Sequence, residues 1–320
     1  MKTILNIPPS PVQEITSSLL REKKIRLWIK RDDLLHPLLG GNKWRKLKYN
    51  LQQAGKEEQN QLLTFGGAFS NHIFATAAAG KVFGFQTIGV IRGEETRPLN
   101  PTLEFALQSG MQLHFVSRQE YKKKNLATYI RYLNNLFGDS FFIPEGGTNN
   151  LAINGCMEIV AEVDRQLSFL PDYWCAACGT GGTLGGIVAG LKGRKKVLGF
   201  SALKGDFLKD EIDRLLQNRA AVEETPFSEY TVNSNYHFGG YARFKPALIA
   251  FINDFYSTYK IRLDPIYTGK LFFGIFDLLK KDFFTPGSSI LAVHTGGLQG
   301  IAGFNQRHGP LIKEEKAKKR

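Results

Sequence analysis

Short apolar runs alternate with helix-like stretches along most of this chain. Gln61–Phe65 (QLLTF) ends in Gly66-Gly67, and Gln86–Ile91 (QTIGVI), Gln112–Val116 (QLHFV) and Ser140–Ile143 (SFFI) repeat the pattern. Between them lie helix-like segments such as Asn71–Val82 and Leu99–Ser109. Tyr173–Ala177, Lys196–Ser201 and Ser289–Val293 continue the series. Apolar strands separated by helices build parallel βαβ units, so the pattern predicts an α/β protein. A length of 320 residues suits two compact units. Pro144-Glu145-Gly146-Gly147 marks one seam. The end of the helix that Trp44, Leu47 and Leu51 outline at helical spacing marks another. These seams predict a larger domain of 1–51 and 146–320, with a smaller α/β domain, 52–145, inserted into it.

Other function classes find little support. The apolar stretches are too short to span a bilayer. Pro8 and Pro9 interrupt the N-terminal apolar run and no small-residue cleavage site follows, so no signal peptide is expected. Three cysteines, Cys156, Cys175 and Cys178, make no disulfide framework and fit a reducing, cytoplasmic setting. Cys175 and Cys178 form a CxxC. No second CxxC or HxxxH accompanies it, so core packing in a buried strand is favoured over a metal or redox site. The net charge of +13 raises a nucleic-acid partner. The charge is dispersed, however, and its densest runs, Lys122–Lys124, Arg194–Lys196 and Lys313–Arg320, lack interleaved aromatics. An excess of positive charge also draws in small anions.

Three glycine-rich junctions follow predicted strands. Cys178–Gly186 (CGTGGTLGG) sits between a strand and a helix. Its glycines let backbone N–H groups converge on an anion at the helix start, and Thr180 and Thr183 add hydroxyls. It reads as a phosphate cradle or as a tight turn, and it is not a Walker loop. In Gly66–His72 (GGAFSNH), Ser70 and Asn71 either cap a helix or face a ligand. His294–Gly297 (HTGG) is weak alone. Lys43 follows Gly40-Gly41-Asn42 at a helix start. The helix dipole disfavours a cation there, and a desolvated lysine in that field has a lowered pKa and is a better nucleophile. A surface lysine in a basic helix remains the other reading.

Taken together, RDDLLHPLLGGNKWRKLKY, TFGGAFSNH, CGTGGTLGG, LDPIYTGK and ILAVHTGG resemble the fold-type-II pyridoxal-phosphate enzymes of the tryptophan-synthase-β superfamily. Within it the chain is similar to the 1-aminocyclopropane-1-carboxylate (ACC) deaminase/D-cysteine desulfhydrase family, with motifs in order from about residue 29 to 300. The resemblance implies two open, twisted, mostly parallel sheets flanked by helices, pyridoxal 5′-phosphate as cofactor, a small amino-acid substrate and a homodimer, with no metal, nucleic acid or membrane. It implies that Lys43 holds the cofactor as a Schiff base and that Lys46 lies near its phosphate. Gly179, Thr180, Gly181, Gly182 and Thr183 would form the phosphate cup, and Asn71 would meet the cofactor 3′-oxygen. Ser70, Asn71 and His72 would line the substrate subsite, with Ser70 beside its carboxylate or its protons. Tyr241 and Tyr267 match the active-site tyrosine pair.

Two departures bear on the reaction. ACC deaminases carry Glu directly after the second tyrosine, facing the pyridine nitrogen, whereas this chain has Thr268. The D-cysteine desulfhydrase type has YTGK and HTGG, as here, which implies Thr295 at that nitrogen. A neutral hydroxyl makes the cofactor a weaker electron sink. That suffices for losing a thiolate and suits ring opening less well. The expected reaction is therefore β-elimination from D-cysteine, with ACC deamination as the alternative. In addition, YARFKPAL follows Gly239-Gly240 where the family has a Gly-Pro turn after the tyrosine, which sets the substrate-facing region apart. The other readings are a paralogue that binds the cofactor without this activity and, on CGTGGTLGG alone, a nucleotide-binding α/β protein.

Overall fold

The computed structural model describes residues 7–220 and 226–313. The N-terminal hexapeptide and residues 314–320 of the basic tail lie outside the described residues. The apolar runs form two sheets. The strands are β1 (Val12–Ile15), β2 (Arg26–Lys30), β3 (Gln61–Gly67), β4 (Gln86–Arg92), β5 (Met111–Val116), β6 (Phe141–Ile143), β7 (Tyr173–Cys178), β8 (Lys196–Ser201), β9 (Tyr230–Asn233) and β10 (Ser289–Val293). One sheet has the order β1-β2-β10-β7-β8-β9 and the other β5-β4-β3-β6. Every pairing is parallel except β1 with β2.

Seven of these strands match the apolar runs to within a residue or two. The patterning leaves β1, β2 and β9 unread. β2 (RLWIK) is charged at both ends, as a surface segment would be. Yet Lys30 is completely buried, its charge met by Glu162 at 2.6 Å and by the Ser10 carbonyl at 2.6 Å. β1 and β9 are edge strands of four residues each, too short to show a period.

The central strands are buried on both faces, as parallel strands between helical layers must be. Ile290 and Ala292 of β10 face one core cluster, and Leu291 and Val293 face the other. The same alternation splits the CxxC. Cys175 points into the first cluster and Cys178 into the second, so the two thiols lie on opposite faces of the sheet. Burial raises the Cys178 thiol to about 12 and Cys175 higher, which suppresses thiolate chemistry.

The helix Asn42–Lys56 connects the two halves. Trp44, Leu47, Leu51 and Ala54 recur at helical spacing and pack with Leu62, Ala75, Phe83 and Ile143 under the four-stranded sheet. Its other face carries Arg45, which is paired with Asp32 at 2.8 Å and with Glu162 at 2.6 Å, both buried. The helix runs past the expected seam at residue 51, and its apolar face belongs to the core of the smaller sheet.

The carboxyl ends of β3, β6, β7 and β10 lead into the four segments that build the cleft. In each sheet the chain leaves these strands in opposite directions, β10 lying on one side of β7 with β8 on the other, and β6 on one side of β3 with β4 on the other. Such switch points leave a crevice beyond the strand ends.

Candidate active site

One cleft of about 950 Å³ collects Lys43, Lys46, Ser70, Asn71, His72, Gly179, Thr180, Gly181, Thr183, Tyr241, Tyr267 and Thr295. Residues separated by more than 250 positions thus share one chamber, and each reaches it for a local reason.

Lys43 and Lys46 lie one turn apart at the start of the helix Asn42–Lys56. That start is fastened to the end of β10, because the Asn42 N–H donates to the Thr295 carbonyl at 3.2 Å. Gly41 permits the approach. Its φ is +74°, and a Cβ there would lie 2.0 Å from the Thr295 oxygen, so no side chain fits. The Asn42 side chain donates to the Thr183 hydroxyl at 2.8 Å, which ties the lysine helix to the glycine loop.

Lys43 Nζ donates to the Gly146 carbonyl at 3.3 Å. Lys46 Nζ, buried, donates to the same carbonyl at 3.2 Å and to the hydroxyls of Thr148 (2.9 Å) and Thr180 (3.2 Å). Neither ammonium forms an ion pair among the described residues. Burial, reinforced by the Lys46 charge, holds the Lys43 amine well below the usual lysine range, and burial lowers Lys46 as well.

The loop after β7 leads into the helix Gly182–Leu191, and no side chain caps that helix. Its first-turn N–H groups are therefore open to an anion. At Gly182 a Cβ would come within 2.9 Å of the Thr148 hydroxyl and 3.1 Å of Lys46 Nζ, so the residue must stay bare for the loop to close round this space.

Ser70 caps the helix Asn71–Phe83, its Oγ accepting from the N–H groups of His72 (3.2 Å) and Ile73 (3.3 Å). Capping leaves its O–H free to donate, so the structural and ligand-facing readings coexist. Asn71 Oδ1 accepts from Gln299 at 2.9 Å, which fixes the amide and leaves Nδ2 toward Gly297. His72 is buried beneath Gly147 with Nε2 on the Thr64 hydroxyl at 2.8 Å and Nδ1 without a partner. Burial and the two lysine charges hold this imidazole well below its ordinary pKa, hence neutral.

The tyrosines come from two further elements. Tyr267 precedes the helix Thr268–Lys280, and its ring covers Gly179, where a Cβ would lie 3.0 Å from Cε1. Tyr241 packs edge-on against it with ring centroids 6.3 Å apart. Burial is the main reason both phenols are raised, Tyr267 strongly, so both stay protonated. Thr268 turns away from this pair. It is completely buried, and its hydroxyl donates to Asp264 Oδ1 at 2.7 Å. Asp264 also accepts the N–H groups of Ile266, Tyr267 and Thr268 and so fixes the backbone under Tyr267.

Sequence reasoning missed Asp264, Gln299, Lys270 and the wall formed by Glu145, Gly146 and Thr148. PEGGT marked a seam, and only its place after β6 makes it part of the cleft.

A profile of the family described as pyridoxal-phosphate dependent enzyme matches residues 5–296. The chain belongs to this family. It is 30% identical over 309 residues to a putative 1-aminocyclopropane-1-carboxylate deaminase of Pyrococcus horikoshii, covering 93% of this chain and 92% of that protein. It is 32% identical over 297 residues to a mitochondrial bifunctional D-cysteine desulfhydrase/1-aminocyclopropane-1-carboxylate deaminase of Arabidopsis thaliana, covering 86% and 73%. A crystal structure described as an ACC deaminase homologue superposes with a TM-score of 0.84 at 29% identity, covering 97% and 96% of the two chains. The protein is thus a fold-type-II pyridoxal-phosphate enzyme of the ACC deaminase/D-cysteine desulfhydrase family.

The residues present fit this cofactor. An uncapped helix start, the bare Gly181-Gly182 turn and an ammonium without a carboxylate partner suit a phosphate dianion. A second unpaired lysine with a lowered pKa suits the cofactor's aldehyde.

Proposed function

We propose that this protein is a lyase that removes the β-substituent of a small amino acid, D-cysteine or a close relative, giving pyruvate, ammonia and sulfide. When bound, the cofactor draws electrons from the substrate Cα, and the protein supplies orientation and proton transfer. Lys43 would hold the cofactor and, once the substrate's amino group displaces it, its freed amine would take the Cα proton. Burial and the nearby Lys46 charge lower its pKa, which favours the free amine that such a base needs. The Ser70 O–H, with the start of the helix Asn71–Phe83, holds the substrate carboxylate. Asn71 and Thr295 bind polar atoms of the cofactor ring, and His72 supports this wall through Thr64. Tyr241 and Tyr267, kept neutral by burial, donate a proton to the departing sulfur.

What supports β-elimination over ring opening is the arrangement at Thr268. Its hydroxyl is spent on Asp264, and Thr295 lines the same cleft as the two lysines. The two carboxylates lining the cleft, Glu145 and Glu211, are each bonded elsewhere, Glu145 to Tyr121 at 2.8 Å and Glu211 to Arg214 at 3.1 Å. Among the described residues, the cleft wall offers no uncommitted carboxylate to keep the cofactor ring protonated. Ring opening of ACC is the second reading, favoured by the names of several relatives. The three buried free cysteines suit a cytoplasmic setting, and a homodimer completes the reading; gel filtration tests the dimer.

The deciding experiment compares products. Sulfide and pyruvate from D-cysteine, exceeding 2-oxobutyrate from ACC, are expected. Product from ACC alone overturns β-elimination, and a yellow protein inert to both marks a paralogue with another substrate. Lys43→Ala should lose the visible band of the lysine-bound cofactor, its borohydride-reducible linkage and turnover.

A further inference from the structure

The cleft holds more positive charge than a cofactor phosphate and one α-carboxylate use. Besides Lys43 and Lys46, its wall includes Arg92, Arg118, Arg243 and Arg307. None of these four guanidinium groups forms an ion pair among the described residues, and Arg92 instead lies over the Tyr121 ring. The carboxylates of the wall do not balance them, since Glu145 pairs with Lys124 at 3.4 Å and Glu211 with Arg214.

Two of the arginines, Arg243 and Arg307, both exposed on the cleft wall, lie near the same histidine. Phe244 packs on Phe304 (5.0 Å between centroids) and on His308 (5.1 Å), which locks the segment after Tyr241 to the end of the helix Gly300–His308. Arg243 and Arg307 lie next to these contacts. The positive field of both adds to desolvation in lowering the His308 imidazole, so the histidine stays neutral and adds no charge. Arg243 is also placed by its backbone. Its N–H donates to the Gly240 carbonyl at 3.1 Å, closing a turn in which Phe238, Gly239, Gly240 and Ala242 all have positive φ. Such a backbone is costly unless its surroundings hold it, and it sets Arg243 two residues from Tyr241. Like charges gathered beside a reaction site without counter-ions are relieved by an anion. The departure YARFKP, unexplained by the family pattern, places this charge at the substrate end.

We propose that the substrate carries a second anionic group on its side chain, a carboxylate, sulfonate or phosphate, and that Arg243 and Arg307 bind it. The inference rests on the amino-acid lyase reading and narrows its substrate class. The phosphate cup and Lys46 serve the cofactor and the start of the helix Asn71–Phe83 serves the α-carboxylate, which leaves the arginines of the wall for a distal group, and Arg243 and Arg307 are the two that the Phe244–Phe304–His308 contacts bring near one another. A guanidinium pair favours planar or tetrahedral oxyanions through paired N–H donors.

The test titrates holoenzyme at low ionic strength, following binding by calorimetry and by the cofactor's visible spectrum. The panel sets alanine, cysteine and β-chloroalanine against aspartate, cysteate and O-phosphoserine, each as both enantiomers. At least one anionic member should bind tenfold or more tightly than its neutral counterparts, and the advantage should shrink with added salt. Arg243→Met and Arg307→Met should each cut the anionic-to-neutral affinity ratio about tenfold, and Arg243→Lys should restore part of it. The carboxylate, sulfonate and phosphate arms show which group is read. Neutral members binding as tightly, or an anionic advantage that survives both Met variants, overturns the proposal. Salt-sensitive, arginine-dependent binding without release of keto acid from any member supports the subsite and overturns the lyase reading instead.

Discussion

At the residue scale, two lysines one turn apart divide the labour by their partners. Lys46 points into a ring of neutral oxygens, the Gly146 carbonyl and two threonine hydroxyls. Without cofactor this is a buried cation lacking a counter-charge. Its pKa is lowered from 10.5, so the unfolded chain binds the extra proton between the folded value and 10.5. The penalty on folding is therefore full below the folded value and fades as pH rises toward 10.5. Its acceptors keep other partners, since Lys43 also donates to the Gly146 carbonyl and the Thr148 and Thr180 hydroxyls bond each other, so Lys46→Met should raise the melting temperature of the cofactor-free protein at pH 7, and the gain should shrink at alkaline pH. The same variant should weaken cofactor binding about tenfold or more, since a charge-assisted bond contributes ~1.5–3 kcal/mol; spectrophotometric titration measures it. An unchanged melting temperature with unchanged affinity would show that Lys46 faces no anion. Thr268 carries the opposite lesson. Thr268→Glu, which introduces the glutamate that the resemblance assigns to ACC deaminases, would set a second carboxylate against the buried Asp264. It should destabilise the fold by ~3–5 kcal/mol, the usual scale of an uncompensated buried charge, and thermal or urea unfolding would register the loss.

At the scale of elements, the loop that carries Tyr241 depends on a helix far along the chain. Lys270 is buried, and its ammonium donates to the carbonyls of His237 (2.8 Å), Gly240 (2.8 Å) and Ala202 (3.3 Å). It joins the strained turn at 238–242 to the segment after β8. Burial pushes its pKa down to about 8. The unfolded chain holds this proton up to about 10.4, so the lysine's contribution becomes more favourable as pH rises from 8 to that value. Lys270→Met leaves three carbonyls unmet at ~1–3 kcal/mol for each group that stays buried. It should lower the melting temperature, erase the alkaline increment and raise amide exchange over residues 237–245. If Tyr241 assists the reaction, kcat falls more than KM rises. Elements of this kind divide into what a sequence displays and what it hides. The glycine loop and the helix start beside Lys43 are legible because close backbone approach demands glycine, as at Gly41 and Gly182, and glycine leaves a mark. Lys270 and Gln299 were not, because carbonyls and amides brought up from distant segments have no local pattern. β2 was hidden for a related reason, its Lys30 looking solvent-exposed until Glu162 is seen beside it.

For the whole molecule, the alternation of apolar runs predicted parallel βαβ units and the resemblance implied two sheets, but neither said which core the helix Asn42–Lys56 packs into. The seam placed after residue 51 followed the last apolar residue of the Trp44, Leu47, Leu51 series. That series faces the smaller sheet. Trp44, Leu47 and Leu51 are at most 4% exposed and pack with Leu62, Phe83 and Phe85. A unit cut at residue 52 would keep the sheet β5-β4-β3-β6 and lose one side of its core. Each missing Leu or Trp contact is a large-to-small truncation of ~2–5 kcal/mol, and three of them are comparable with the ~5–15 kcal/mol that stabilises a typical domain. A fragment of residues 52–145 should therefore fail to melt cooperatively. A fragment of 42–145, which restores the helix, should regain a sigmoidal transition in circular dichroism. Arg45 qualifies the second expectation, because its carboxylate partners Asp32 and Glu162 lie outside that fragment. In the fragment Arg45 would face water, where a charged guanidinium carries no burial penalty, so its loss of partners should not prevent folding. Cooperative melting of 52–145 alone would return the helix to the larger unit, and with it Lys43.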